Sequence, residues 1–187
     1  FDLKKNLISF SIFLNFSEKQ TNLVNKSKEI EKQVKNGTEE TQVYGGKRYK
    51  LTAIDLPLDY PFYNLENVRT IDDCEMEIKE NDLDADTFSR DKVFDPVSQE
   101  KYHNIIFNNY TMLEIDKYRE VFQANAADQR HPIYISSDGI IINGNTRVSY
   151  WREESPSFSP IRCLVFEESA QWLDLLYASN NMDSGID

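Results

Sequence analysis

The sequence predicts an α+β (α/β) fold, a small mixed sheet flanked by helices, with a helical arm in front. Three observations carry this. Tyr49 to Ile54 alternates apolar and polar residues as a strand does. Pro96 to Phe107 opens after Asp95 and spaces Val97, Tyr102, Ile105 and Ile106 for one face of a helix. Residues 132–153 read as strand, turn, strand, loop and helix in direct succession. Strands and helices mixed in this order build one layered core rather than a bundle or a sandwich.

The chain has 187 residues, enough for one core plus an appendage. A hydrophobic fraction of 40% with 12% aromatics belongs to a folded chain, not a disordered one. The net charge of −11 argues against coating nucleic acid by bulk electrostatics, yet leaves room for a small basic pocket. The charge is uneven. Residues 1–50 hold ten Lys or Arg against six Asp or Glu, and the remainder holds 11 against 26. A basic arm before an acidic body is one reading; a solvated lysine-rich helix is the plainer one.

Element by element, Leu7 to Phe16 has apolar residues at alternate positions and fits either a strand or a docking helix. It follows Lys4-Lys5 as a signal peptide would, but no small-residue cleavage site comes after it. Residues 17–36 read as a polar helix with a thin stripe of Leu23, Ile30 and Val34, ended by Gly37. Gly37 to Gly46 is polar and turn-rich, a linker. This places residues 1–46 as a basic helical arm with its linker and 47–187 as the domain, in a chain read as a fragment of a longer protein. Pro57 and Pro61 forbid a regular helix after the first strand. Residues 71–96 are acidic and match no single element. Thr111 to Gln123 reads as helix, Ile161 to Phe166 as strand, and about Ser169 to Ala178 as a closing helix whose Trp172, Leu173, Leu175 and Leu176 form an apolar face.

Cys74 and Cys163 stand far apart in no Cys-x-x-Cys, so neither a disulfide framework nor a zinc site is expected, and reduced thiols fit a cytoplasmic protein. No apolar run approaches the ~20 residues needed to span a bilayer. Asn81 to Asp86 spaces carboxylates like the start of a calcium loop, but Val93 stands where the closing glutamate belongs. His103 lies among Tyr102, Ile105 and Ile106 and reads as structural. Two histidines with no supporting motif make no nucleophilic triad.

The chemistry concentrates at Asn143-Gly144-Asn145-Thr146-Arg147, where a strand hands over to a helix. A helix start offers backbone N–H groups and positive dipole to an anion, and an arginine adds a planar fork that fits phosphate. The same residues also suit a helix capped by Asn145 or Thr146 with Arg147 exposed, or a tight turn built on the two asparagines. His131, before Pro132, stands beside this loop in sequence.

Pro132-Ile133-Tyr134-Ile135, Asp138-Gly139 and Gly144-Asn145-Thr146-Arg147 together resemble the ParB/sulfiredoxin-like superfamily, in which such a strand, turn and Gly-x-x-Arg loop follow one another. Gln129 matches a glutamine found before that proline, and Asn67-Val68-Arg69 resembles the first ParB box, whose arginine faces the nucleotide. The resemblance spans about residues 50–166. It implies binding of a nucleotide, ATP or CTP with Mg²⁺, or of a nucleic-acid phosphate, through Gly144, Asn145, Thr146, Arg147, Arg69 and Gln129; Asn143 and His131, beside the loop in sequence, are further candidates. It implies the kind of domain found in bacterial DNA-modification and defence proteins, with DNA, a downstream domain or partner protein, or a second copy as partners. Asn145 stands where sulfiredoxins carry cysteine and ParB proteins glutamate, and Thr146 replaces the first ParB arginine. Sulfinic acid reduction is therefore not expected. A metal-dependent ParB-like nuclease and an interaction module with a vestigial site remain as alternatives, and Arg69 also suits a salt bridge to the acidic stretch.

Overall fold

The computed structural model describes residues 25–26, 28–44, 47–116, 119, 129 and 131–167. Five strands form one mixed sheet: β1 (Thr38–Tyr44), β2 (Lys47–Leu56), β3 (Ile133–Ser136), β4 (Ile141–Asn143) and β5 (Ile161–Phe166), in the order β1-β2-β5-β3-β4. All neighbours are antiparallel except β3 and β5, which run parallel with Tyr134 opposite Leu164. Three α-helices join them: α1 (Ile71–Glu80), α2 (Pro96–Ile106) and α3 (Asn145–Glu154). Residues 28–36 are also helical.

The sheet is apolar on both faces. Ile54, Leu56, Ile133, Ile135, Ile141, Cys163 and Val165 belong to the main core with the helices. Leu51, Ile142, Leu164 and Phe166, the alternate positions, form a second buried cluster joined by Tyr49 and Tyr134. The two-residue period of a strand divides them so. Burying roughly 1.5–3 kcal/mol worth of side chain at each such position makes the three central strands the stable heart of the domain.

Local signals explain the helix starts. Asp95 caps α2, accepting from the Ser98 N–H at 2.8 Å, and Pro96 occupies the first turn, where its missing N–H costs nothing. Asp72 and Asp73 sit in the first turn of α1, favourable for the dipole. A π-turn, Phe107–Thr111, carries α2 onward into a 3-10 turn at Met112–Glu114. The chain reverses at Ser136–Gly139, where Gly139 has φ +86° and hydrogen-bonds back to Ser136 at 2.9 Å. Its bare Cα lets Ile30 of the helical segment press directly on the turn.

One expectation is overturned. Residues 38–44, read as part of a linker, are β1, paired residue for residue with β2 from Thr38–Ala53 to Tyr44–Lys47. Thr38 to Gln42 has no apolar residue to reveal a strand, and the pairing comes from β2. The acidic stretch after Thr70 supplies α1. The readings for residues 7–16, for the helix from 169 onward and for most of the helix after Met112 lie outside the described residues.

Candidate phosphate-binding loop

Gly144 has φ +119°, a conformation side chains resist, and it is the N-cap of α3. A Cβ there would lie 2.5 Å from Ile133 Cδ1. The need for glycine is thus double: the backbone angle and the close approach of β3. The cap position is taken by a residue with no side chain, so the reading in which Asn145 or Thr146 caps the helix does not hold. Val148 N–H closes the first helical bond on the Gly144 carbonyl at 2.9 Å.

Asn145 is the first helical residue. Its Oδ1 is buried and finds no hydrogen-bond partner among the described residues, an arrangement that costs about 1–3 kcal/mol when nothing fills it. Arg147 folds back: its Nη1 donates to the His131 carbonyl at 2.5 Å, and its Nη2 lies 3.4 Å from where a Gly144 Cβ would be. That guanidinium also acts on the half-buried Tyr134, whose phenol is pushed up by burial and drawn partly back by the positive charge.

Gln129 reaches the same corner. Its Nε2 donates to the Arg162 carbonyl at 2.8 Å and to the His131 carbonyl at 3.3 Å, and its Oε1 accepts from the Arg162 N–H at 2.6 Å. Asn143, at the end of β4, stands opposite Tyr134. Hydrogen bonds thus join Gln129, His131 and Arg147 around one carbonyl, with Gly144 and Asn145 alongside. The backbone of Arg69 is bonded on both sides: its N–H donates to Asn67 Oδ1 at 3.0 Å, and its carbonyl accepts from the Tyr110 hydroxyl at 2.6 Å, which also meets Asp73 at 2.6 Å.

Behind the loop, Thr111 of the π-turn and Ser149 of α3 share a buried hydroxyl–hydroxyl bond of 2.7 Å. Sequence reasoning missed this, and also a chain linking α2 to α3. Tyr63 Oη lies 2.8 Å from His103 Nδ1, and His103 Nε2 lies 2.8 Å from Glu153 Oε1. Arg152 stacks its guanidinium 4.8 Å from the Tyr63 ring centre and donates to the carbonyls of Leu58 and Pro61. Burial holds His103 below its ordinary titration range, against the opposing pull of Glu153. Burial likewise pushes the thiols up, Cys74 to about 11 and Cys163 further still, so neither is a ready nucleophile.

A separate groove of about 260 Å³ runs between α1 and α2, walled by Asp73, Glu77, Glu80, Lys101 and Asn104. It has no residue of the 144–147 loop in its wall. Among the described residues no three His, Cys, Asp or Glu side chains converge as a metal ion would require, and no helix is long and apolar enough to cross a membrane.

No protein-family model matches the chain, and no curated protein or solved structure is significantly similar to it.

Proposed function

We propose that the chain is a ParB/sulfiredoxin-like domain that binds a nucleotide, ATP or CTP with Mg²⁺, or a nucleic-acid phosphate, at the start of α3, in a cytoplasmic protein of DNA processing or defence. One observation supports the reading above others: a left-handed glycine opens a ten-residue helix whose N-cap has no side chain, with the Arg147 guanidinium folded back beside it. An anion there would meet backbone N–H groups and the positive end of the helix dipole. The unfilled Asn145 Oδ1 offers an acceptor for an N–H or O–H group of the same ligand. Gly144 lets the ligand approach the backbone, and Arg147, bonded to the His131 carbonyl, brings its guanidinium beside the start of α3, where a charged planar fork fits phosphate oxygens. Gln129 holds the strand end that carries that carbonyl.

Calorimetry with ATP, CTP and GTP, with and without Mg²⁺, on the wild type and Arg147→Ala tests this. Saturable binding that Arg147→Ala weakens by more than about 1 kcal/mol supports the site. Absence of binding to all three nucleotides and to DNA, or binding indifferent to Arg147, overturns it.

A further inference from the structure

The two edges of the sheet are treated differently. At the β4 edge, Phe62 covers the strand, donating to the Gly139 carbonyl at 2.9 Å and accepting from the Ile141 N–H at 2.7 Å. At the other edge, β1 has a neighbour on one side only among the described residues. Edge strands usually carry charged side chains, a proline, a bulge or few residues, each of which discourages further pairing; the two charges of β1, Glu39 and Glu40, are already paired within the chain, to Lys50 at 3.0 Å and to Arg162. Here β1 has seven residues, Thr-Glu-Glu-Thr-Gln-Val-Tyr, with no lysine or proline and an unbroken register to β2. Thr38, Glu39, Thr41 and Val43 are exposed along it, Val43 to 66%.

The order of charges selects an occupant. In an antiparallel pair of two β1 strands centred on Thr41, Glu39 faces Val43, Glu40 faces Gln42 and Thr41 faces Thr41, so no carboxylate meets another. Centring the pair on Glu39 or Glu40 sets a glutamate against itself, centring it on Gln42 pairs five residues of the strand rather than all seven, and parallel in-register pairing stacks both glutamates on their copies. Like charges directly opposite are unfavourable, and threonine pairs are favourable. We infer that β1 is a self-association edge, pairing antiparallel with β1 of a second copy about a two-fold axis at Thr41 and joining two five-stranded sheets into one of ten strands. The main-chain hydrogen bonds supply the attraction, as in other strand additions, and the isologous geometry closes at two copies. This rests on β1 and not on the phosphate-site reading.

The experiment is sedimentation equilibrium on the full chain over a range of concentrations, with Val43→Glu and Val43→Lys. Because Val43 is largely exposed, both variants keep the fold. The pairing sets position 43 against Glu39 of the second copy twice per dimer. Val43→Glu should therefore weaken dimerisation about tenfold and Val43→Lys strengthen it. Thr41→Cys should give a disulfide-linked dimer under mild oxidation and Val43→Cys none, since the native thiols are buried. A monomer at all concentrations, a dimer indifferent to charge at position 43, or equal cross-linking at 41 and 43 would overturn the inference, including the case in which another part of the same chain occupies the edge.

Discussion

His103 Nε2 lies 2.8 Å from Glu153 Oε1, while its Nδ1 lies 2.8 Å from the Tyr63 hydroxyl. A neutral ring satisfies both contacts at once, with Nε2–H donating to the carboxylate and Nδ1 accepting from the phenol. A protonated ring would donate from both nitrogens, to the carboxylate and to the phenol oxygen. Burial holds the histidine neutral against the opposing pull of Glu153.

A pH dependence follows. The folded chain binds the His103 proton at lower pH than the unfolded chain does, because burial lowers its affinity. As pH falls through the unfolded value of about 6.5, the unfolded state gains the proton first, so the contribution of His103 is intact above that pH and declines below it. Thermal melts between about pH 7.5 and 5 should show a fall in Tm on the acid side that His103→Gln reduces. An unchanged slope in the variant would contradict the assignment.

Gly144→Ala should cost on the order of 1–3 kcal/mol of stability, through the left-handed backbone and the approach to Ile133 Cδ1. Ile133→Val removes that methyl. The double variant should therefore lose less than the sum of the two single losses, a non-additivity measurable by urea unfolding. Strictly additive losses would place the strain in the backbone alone.

Thr111→Val and Ser149→Ala each break the bond between two buried hydroxyls, leaving Ser149 the Thr146 carbonyl at 2.9 Å or Thr111 the Ile106 carbonyl at 3.5 Å, at a cost of about 0.5–1.5 kcal/mol. The pair together should cost less than the sum, since the shared bond is lost only once. Chemical denaturation of the three variants measures the coupling. Loss of phosphate binding in Thr111→Val without loss of Tm would instead mark the π-turn as part of the ligand site.

Ile30 is fully buried and presses on the Gly139 turn. Ile30→Ala should destabilise the domain by about 2–5 kcal/mol, although it lies in the segment that the sequence presents as an arm. Unfolding by circular dichroism distinguishes this from a freely tethered helix, for which the change would be within about 0.5 kcal/mol.

What the sequence made legible was what local chemistry dictates. Asp95-Pro96 announced a helix start, and the apolar period at Pro132 to Ile142 with Asp138-Gly139 between announced a hairpin. The loop was legible because glycine and arginine at that junction each have few other uses. The hidden parts depend on partners distant in sequence. β1 is a strand because β2 pairs with it, and its own polar residues carry no apolar alternation. α1 is half acidic and fully buries only Cys74, so few apolar residues announce it. The Tyr63–His103–Glu153 chain joins positions 40 and 50 residues apart, a relation no local pattern encodes.

The Gln129 amide meets Arg162 through its main chain, donating to its carbonyl and accepting from its N–H, as an adjacent strand would. Such a contact is blind to the side chain it meets. Position 162 can change its side chain without loosening that corner, at the loss of the ion pair with Glu40, while position 129 cannot, since only a carboxamide sets two donors and an acceptor on one planar group. In a set of natural variants, the glutamine would stay put while its partner changes identity, so the two sites would leave no covariation by which to discover that they touch.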